Sequence, residues 1–254
     1  MTVFADYSKY YDLLYQDKNY QGEADFIDTL LQKYGNKPIK LLELGSGTGK
    51  HACLLANKGY NIVGIDQSAT MLELAGRLLA QNQAVAKNIR LFEGDVRTFK
   101  IAEQFDAVIS LFHVLSYQTT NNDIEAMFAT AKNHLLPGGI FIFDCWYGPC
   151  VLEQKPKMRY KKLENESLLV ERIAEPSLDV NAGTVNVHYH LFVQEKPQTT
   201  FIKMEEDHLM RYFFLPEIQQ YCDKYSMKLE LACEWLTRKP LSDQTFGACF
   251  VVRV

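Results

Sequence analysis

Between residues 39 and 143 the sequence alternates short apolar runs with longer amphipathic stretches, and this alternation restricts the chain to few folds. The runs IKLLELG, YNIVGID, IRLFEGD, FDAVISLFH and GIFIFDC read as five strands. The stretches between them predict helices over 50–57, 68–83 and 123–135. Because strands that alternate with helices pair in parallel, the pattern indicates an α/β fold with a mostly parallel sheet.

Local signals mark where these elements begin and end. Ser68 and either Asn122 or Asp123 are the expected N-caps of the second and third helices. Pro137-Gly138-Gly139 predicts a break before the fifth strand. Upstream, apolar residues on one face predict an amphipathic helix over 25–34.

After Cys150 the apolar period changes to two. In 185–193 the odd positions are apolar or aromatic while Asn186, His188 and His190 face the other way, which is typical of a half-buried antiparallel strand. Further strands over 158–163, 167–174 and 200–213 predict a meander, with turns at 165–166, 181–183 and 196–197. A helix over 215–225, with Pro216 in its first turn, and strands over 228–236 and 247–254 follow.

The length of 254 residues and the 47% hydrophobic composition allow one α/β core with an inserted subdomain. We therefore divide the chain into an N-terminal helical cap (1–37), a core (38–149), an inserted antiparallel β platform (150–213) and a C-terminal part (214–254). The last part supplies a helix and the final two strands of the core sheet.

Composition limits the partners. A formal net charge of −4 gives no basic field for a phosphate backbone, so neither nucleic acid nor a membrane is expected. The start MTVFADYSKYYDLLY is unlike a secretion signal, and no run approaches the roughly 18 apolar residues that span a bilayer, which favours the cytoplasm. Six cysteines without C-x-x-C spacing predict buried, reduced thiols.

The strongest local signal is the glycine-rich segment after the first strand. Glu43 precedes Gly45, Gly47 and Gly49 in the pattern E-x-G-x-G-x-G. Glycines at a strand-to-helix turn let a ligand approach the amides of the helix N-terminus. A dinucleotide fingerprint needs glycine at the sixth position, where this chain has Lys50, so an NAD-dependent dehydrogenase is disfavoured. An ordinary glycine-rich turn is the alternative.

This segment resembles the first motif of class I S-adenosylmethionine-dependent methyltransferases. Asp66 after the second strand, Glu93-Gly94-Asp95-Val96, the run 105–113 and the run 135–143 resemble the later motifs in the same order. The resemblance implies a Rossmann-like, seven-stranded, mostly parallel sheet with a reversed last strand and S-adenosylmethionine as cofactor. The expected cofactor-binding residues are Glu43, Gly45, Ser46, Gly47, Thr48, Gly49, Asp66, Gln67, Met71, Asp95, Val96 and Leu111.

The expected roles of two acids differ. A carboxylate at the position of Asp66 can accept hydrogen bonds from both ribose hydroxyls. Capping of the following helix is the equally weighted alternative for Asp66. For Asp95 the resemblance implies a place near the adenine amino group, with Val96 against the ring.

The tyrosine-rich start, including Tyr11-Asp12-Leu13-Leu14-Tyr15, and the β-rich insert look like the amino-sugar N-methyltransferases and the glycine N-methyltransferases. In those relatives the N-terminal tyrosines cover the cofactor and the inserted strands form a platform for the substrate. We expect Tyr117, Trp146, His190 and Arg211 to contact a small-molecule substrate. Dimerisation through the insert is left open.

Three residues are candidates for the chemistry. His113 follows the fourth strand, and a histidine there can accept a proton near neutral pH. A structural histidine is the alternative. Tyr11 and Tyr15 can shield a sulfonium through their ring faces, or can simply pack. Because His188, His190, Glu206 and His208 fix no three-ligand set by sequence, no metal is predicted.

The sequence thus predicts a transferase that moves a methyl group from S-adenosylmethionine to a nitrogen or oxygen of a small molecule, with a nucleotide-linked amino sugar as one candidate. A non-catalytic S-adenosylmethionine-binding sensor or scaffold shares every cofactor motif and is the alternative. A DNA amino-methyltransferase is disfavoured because Ser110-Leu111-Phe112-His113 replaces its Pro-Pro-aromatic motif.

Overall fold

The computed structural model describes residues 10–254, apart from the side chain of Asp12. Seven strands form the core sheet: β1 (Lys40–Leu44), β2 (Asn61–Asp66), β3 (Ile89–Glu93), β4 (Phe105–Ser110), β5 (Leu135–Tyr147), β10 (Lys228–Glu234) and β11 (Gly247–Arg253). Their order is β3-β2-β1-β4-β5-β11-β10. β1 to β5 pair in parallel, and β11 is antiparallel to both of its neighbours. The predicted Rossmann-like sheet with a reversed last strand is confirmed.

The described helices are α1 (Tyr11–Leu14), α2 (Tyr20–Tyr34), α3 (Lys50–Asn57), α4 (Ala69–Gln81), α5 (Gln83–Ala86), α6 (Asn121–His134), α7 (Gly148–Gln154) and α8 (Leu215–Lys224). A 3-10 helix over Val114–Tyr117 follows β4. Ser68 caps α4 as predicted, since its side chain accepts a hydrogen bond from Met71 N–H. α7 crosses the predicted boundary at residue 149, and the four-part division of the chain stays a prediction.

Two helix starts were predicted wrongly. α6 is capped by Thr120, whose side chain accepts from Asp123 N–H, and not by Asn122 or Asp123. α2 begins at Tyr20, five residues before the predicted start, because Asn19 accepts a hydrogen bond from Gly22 N–H. The apolar pattern alone does not show a start that depends on a side-chain cap.

The predicted break at Pro137-Gly138-Gly139 lies inside β5. α6 ends at His134, and β5 begins at the next residue. The pairing with β4 shifts from Phe105–Leu135 to Ala107–Ile140, so residues 136–139 bulge out of the ladder. Gly138, with φ of +79°, supplies the left-handed backbone of this bulge.

The insert is a four-stranded antiparallel meander of β6 (Arg159–Glu164), β7 (Leu168–Asp179), β8 (Thr184–Glu195) and β9 (Ile202–Phe213). Along β8, Val185, Val187, Leu191 and Val193 are buried, so the predicted alternation holds. β7 runs beyond its predicted end because residues 175–179 pair only with β8, and an edge of this kind tolerates Pro176.

The insert joins the core sheet at one short seam. Trp146 and Tyr147 at the end of β5 pair in parallel with Tyr212 and Phe213 at the end of β9. The carboxyl end of β5 therefore serves both sheets. This places the inward face of the insert beside the carboxyl ends of the core strands.

Alternate residues of the core strands belong to two apolar clusters, one on each face of the sheet. One contains Phe143 and Phe250 and packs against α6 and α8. The other contains Ile109 and Ile142 and packs against α2 and α3. All six cysteines are free and buried, as predicted. In the part of the chain that is described, none of the helices combines the length and the apolar character needed to cross a membrane.

Phe128 of α6 is the aromatic centre of the first cluster, and its truncation is expected to destabilise the fold. Its ring lies 5.7 Å from that of Phe141 and 5.5 Å from that of Phe143. Phe128→Ala should lower the free energy of unfolding by about 3–5 kcal/mol in urea titrations. Phe201→Ala, at a position 47% exposed, is the control. Equal losses for the two variants would contradict this account of the core.

Candidate functional site

The turn after β1 has a backbone that only glycine adopts easily. Gly45, Gly47 and Gly49 have φ of +79°, +53° and +73°. The N–H groups of Gly45 and Ser46 donate to the carbonyl of Ile65 in β2, at 2.9 and 2.8 Å. The turn is thus held against the end of the neighbouring strand, and α3 begins directly after it.

Asp66 fastens the same turn from the end of β2. Its Oδ2 accepts a hydrogen bond from Gly47 N–H at 2.8 Å, and its Oδ1 accepts one from Ser68 N–H at 2.9 Å. Burial raises the pKa of Asp66, while the two backbone hydrogen bonds oppose that rise. The carboxylate also lines the cavity at this sheet edge, so the structural and the ligand-facing interpretations are compatible.

The cavity has a volume of about 350 Å³ and runs from the glycine turn to the insert. Ten of the twelve expected cofactor residues line it: Gly45, Ser46, Gly47, Thr48, Asp66, Gln67, Met71, Asp95, Val96 and Leu111. Glu43 lies buried beneath the turn, and Gly49 is the N-cap position of α3. At the far end, Tyr117, Asp207 and Leu209 complete the wall.

Glu43 is the most unusual acid of the site. It is 1% exposed, and its Oε2 has no hydrogen-bond partner among the described residues. Burial, with a further contribution from the Asp66 carboxylate, raises the pKa of Glu43 to about 8. The uncompensated oxygen suits a cationic ligand, such as the ammonium group of S-adenosylmethionine, because a nearby positive charge favours the ionised acid.

A buried charge network that the sequence analysis missed lies beside Glu43. His51 Nδ1 is 4.0 Å from Glu43 Oε1, and His51 Nε2 is 2.7 Å from Glu23 Oε2. Lys18 forms an ion pair with Glu23. Although burial raises the pKa of Glu23, the hydrogen bond with His51 and the Lys18 ammonium lower it to about 2. These residues come from α2, the loop before it and α3, so no local sequence motif predicts the network.

Asp95, which follows β3, is held by Arg97, a residue that the sequence analysis missed. Arg97 Nε donates to Asp95 Oδ1 at 2.9 Å, and Arg97 Nη1 donates to Asp123 at 2.7 Å. The hydrogen bonds from Arg97 lower the pKa of Asp95. Asp95 is therefore a fixed, ionised acceptor at the cavity wall.

His113, the predicted base, is packed beside the cavity and does not line it. Its Nδ1 lies 2.7 Å from Oδ2 of Asp144, an acid that is 1% exposed and that the sequence analysis did not single out. The ring also meets the edges of Trp146 and Phe246. The adjacent Phe112 and Val114 line the cavity instead.

The two N-terminal tyrosines are placed differently. Tyr11 lines the cavity, and its ring centroid is 4.6 Å from that of Tyr15. Tyr15 meets Phe112 edge-on at 5.2 Å and is not part of the cavity lining. Lys18 places its ammonium 4.1 Å from the centroid of Phe112, so a cation of the chain itself already contacts this aromatic group.

Of the four predicted substrate residues, the structure brings Tyr117 to the cavity. Trp146 packs against Phe246, with the two ring centroids 5.2 Å apart. Arg211 forms an ion pair with Glu217 and donates to Asn121, which braces the insert against α6 and α8. None of the other three lines the cavity.

His190 and His188 share one face of the insert with Asp207, and neither histidine lines the cavity. His190 Nδ1 is 3.1 Å from Glu205 and its Nε2 is 3.3 Å from Glu175, while His188 Nδ1 is 2.9 Å from Asp207. Ligand atoms of His188, His190 and Glu205 lie within 4.8 Å of one another, a spacing that a metal ion could use. The contacts present are carboxylate pairs, and the absence of a metal stays a prediction.

Glycine is expected to be needed more strictly at Gly45 than at Gly47. Positive φ costs an L-residue roughly 1–2 kcal/mol at either position. An added Cβ at Gly45 would lie 2.5 Å from Cγ2 of Val114, whereas nothing lies within 4 Å of one at Gly47. Gly45→Ala should therefore lose about 1–3 kcal/mol more unfolding free energy in urea than Gly47→Ala. Equal stabilities would show that Val114 moves without cost.

The raised pKa of Glu43 predicts a pH-dependent stability. Between the usual carboxyl pKa of 4.5 and about 8, the folded chain keeps a proton that the unfolded chain releases. Stability is therefore lost as the pH rises through this window, by up to about 1.4 kcal/mol per pH unit. Glu43→Gln does not titrate, so wild type should lose stability relative to this variant between pH 5.5 and 7.5 in urea unfolding. A constant difference would contradict the assignment.

Comparison with known proteins identifies the kind of domain that carries this cavity. Residues 41–139 match the family model of a methyltransferase domain. The chain is 27% identical over 187 residues to dTDP-3-amino-3,4,6-trideoxy-alpha-D-glucopyranose N,N-dimethyltransferase of Streptomyces venezuelae, covering 73% of this chain and 76% of that protein. It is 28% identical over 215 residues to dTDP-3-amino-3,6-dideoxy-alpha-D-glucopyranose N,N-dimethyltransferase of Streptomyces fradiae, covering 82% and 80%.

A solved structure has the same fold. The S-adenosylmethionine-dependent methyltransferase from Clostridium acetobutylicum ATCC 824 superposes with a TM-score of 0.80 at 21% identity, covering 97% of this chain and 96% of that one. The family match spans the glycine turn, Asp66 and Asp95. Residues 41–139 thus form a methyltransferase domain, and the chain is an S-adenosylmethionine-dependent methyltransferase with S-adenosylmethionine as its cofactor.

Proposed function

We propose that this enzyme methylates the amino group of a nucleotide-linked amino sugar. The observation that carries the proposal is the continuous cavity, which begins at the glycine turn and ends at Asp207 and Leu209 of the insert. A small acceptor held against the insert can thus reach a cofactor held at the turn. The two relatives from Streptomyces, which are named for N,N-dimethylation of dTDP-linked amino sugars, support this choice of acceptor.

The assignment of the cofactor end rests on the residues that line it. We propose that the glycine turn and Asp66 hold the adenosyl part of the cofactor. Asp95 and Val96 then contact its adenine ring. Glu43 then faces the charged amino acid part, for which its unpartnered buried oxygen is suited. When bound, S-adenosylmethionine supplies a methyl group on a sulfonium that is its own leaving group.

The main task of the chain is alignment and exclusion of water. Holding acceptor and methyl donor in line can contribute on the order of 7–11 kcal/mol to the rate. Tyr11 and Phe112 form an aromatic wall on one side of the cavity, and Tyr117 lies on the insert side. We propose Tyr117 as a substrate contact, and roles for Tyr15, Trp146, His190 and Arg211 in the reaction stay predictions.

The remaining partner assignments are proposals as well. We propose a cytoplasmic enzyme without a nucleic-acid or membrane partner, in line with the net charge of −4. A homodimer through the insert is supported by Met158 and Tyr160, large side chains of the insert that are 69% and 59% exposed. Light scattering of the purified protein measures its mass, and a monomer at all concentrations would exclude the dimer.

The acceptor is tested with matched substrates. Incubation with labelled S-adenosylmethionine should methylate a dTDP-linked amino sugar and leave the corresponding sugar with a hydroxyl in place of the amine unchanged. The reason is that a neutral amine attacks without a strong base, whereas a hydroxyl must lose its proton.

Equal labelling of both sugars would replace the proposal by O-methylation. Tight binding of S-adenosylmethionine with no acceptor methylated in a wide amine panel would favour the sensor alternative. Asp66→Ala is the control for the cofactor site, and it should lose cofactor affinity in calorimetry.

A further inference from the structure

A row of close polar side chains runs from the cavity wall into the insert. Tyr117, the last residue of the 3-10 helix after β4, lines the cavity. Its hydroxyl oxygen lies 2.7 Å from Nδ1 of His208 on β9. On the other side of this ring, Nε2 lies 3.2 Å from Oε1 of Glu206. Three ionisable side chains from two parts of the fold therefore stand in sequence.

This row of side chains is shielded from solvent. His208 is 3% exposed, and the side chain of Glu206 is 13% exposed. Tyr189 of β8 meets the His208 ring edge-on at 4.9 Å, and Arg172 of β7 lies 5.1 Å from the Tyr189 ring. Asp207, between the two relay residues on β9, points to the opposite face and contacts His188.

The order of donors follows from the chemistry of the groups. If Tyr117 donates its hydroxyl hydrogen to Nδ1, the ring proton of His208 lies on Nε2, the nitrogen that is 3.2 Å from Oε1 of Glu206. Burial, with smaller contributions from Tyr15, Tyr189 and Glu206, raises the pKa of Tyr117 well above its usual value. The phenol is therefore protonated at neutral pH and can release a proton only while it receives another.

We propose that Tyr117, His208 and Glu206 form a proton relay that deprotonates the amino group of the substrate. This inference rests on the proposed function, because it needs an amine as acceptor. Tyr117 is the catalytic residue, since it meets the substrate. His208 and Glu206 act through it.

The step is balanced in protons and electrons. The N–H bond of the substrate ammonium breaks, and its proton goes to the Tyr117 oxygen. The former hydroxyl proton goes to Nδ1 of His208, and the proton on Nε2 goes to the Glu206 carboxylate. The amine keeps the electron pair and is ready to attack. No oxidant or further reactant is needed, and Glu206 returns its proton along the same path when the product leaves.

A relay of this kind meets a definite need. Aliphatic amines are mostly protonated at neutral pH, as the lysine pKa near 10.4 shows, and an ammonium has no lone pair for attack. His113, the base predicted from the sequence, contacts Asp144 and does not line the cavity. Tyr117 does line it, and its hydroxyl contacts His208 of the insert.

The decisive variants separate a proton path from a hydrogen bond. Tyr117→Phe removes the acceptor oxygen. His208→Asn leaves an amide oxygen that can accept from Tyr117 but cannot pass a proton on. Both should lower kcat/KM for the amino sugar at pH 7 by about a hundredfold, within the usual range for general acid–base catalysis. Tyr60→Phe, which removes a buried hydroxyl bonded to Asp28, is the matched control and should match wild type.

The pH profile gives a second signature. Wild-type kcat/KM should change little between pH 6.5 and 8, because the enzyme accepts the ammonium form. The two variants must wait for amine that is already neutral, so their kcat/KM should rise about tenfold per pH unit below the pKa of the amine. If His208→Asn does not fold, Glu206→Gln tests the same path, since its amide accepts a hydrogen bond but no proton.

A measurement without turnover completes the test. With S-adenosylhomocysteine present, binding of the amino sugar should move the ring proton of His208 from Nε2 to Nδ1, seen in the nitrogen-15 spectrum. Tyr117→Phe should abolish this change.

If the kcat/KM of His208→Asn is within threefold of wild type and its pH profile is that of wild type, the relay is overturned. Methylation of the amine would still stand. If Tyr117→Phe lowers kcat/KM and His208→Asn does not, Tyr117 is only a binding contact, and the relay is overturned as well. Wild-type enzyme that methylates no amine would refute the proposed function itself, and the relay with it.

Discussion

The attachment of the glycine turn to the end of β2 is the contact on which the site depends. Two backbone N–H groups of the turn share the carbonyl of Ile65, and Gly47 N–H is held by Asp66. Positive φ at three glycines makes this geometry available to the backbone. Because the turn also sets the start of α3, it fixes His51, and through His51 it fixes the buried Glu23 and Lys18.

Much of this could be predicted from the sequence. The alternating apolar runs predicted the core strands, and the period of two predicted the insert. The glycine spacing led to the end of the cavity at which we propose that the cofactor binds, because the residues that line this end lie within a few positions of consecutive strand ends. The errors at α2, α6 and β5 arose where a single cap or a bulge decides a boundary, and apolar periodicity carries no information about these.

The acceptor end could be predicted only in part. Lys18 and Glu23 meet His51, and His113 meets Asp144, through tertiary contacts, so no local spacing predicts either group. His190 was expected at the substrate, but it contacts Glu175 and Glu205 and does not line the cavity. A strand pattern tells which residues share a face, and only the packed structure tells what that face meets.

The seam between the two sheets has a consequence for how such enzymes diversify. The strand pairing between the core sheet and the insert is limited to Trp146 and Tyr147 with Tyr212 and Phe213, and the other contacts between them are made by side chains such as Arg211 and His208. Substitutions along the strands of the insert can therefore change the cavity wall proposed to meet the acceptor, while the pairing of β1 to β5 beside the glycine turn is kept. Related enzymes can therefore keep methyl transfer as their reaction and change the acceptor through substitutions in the insert alone.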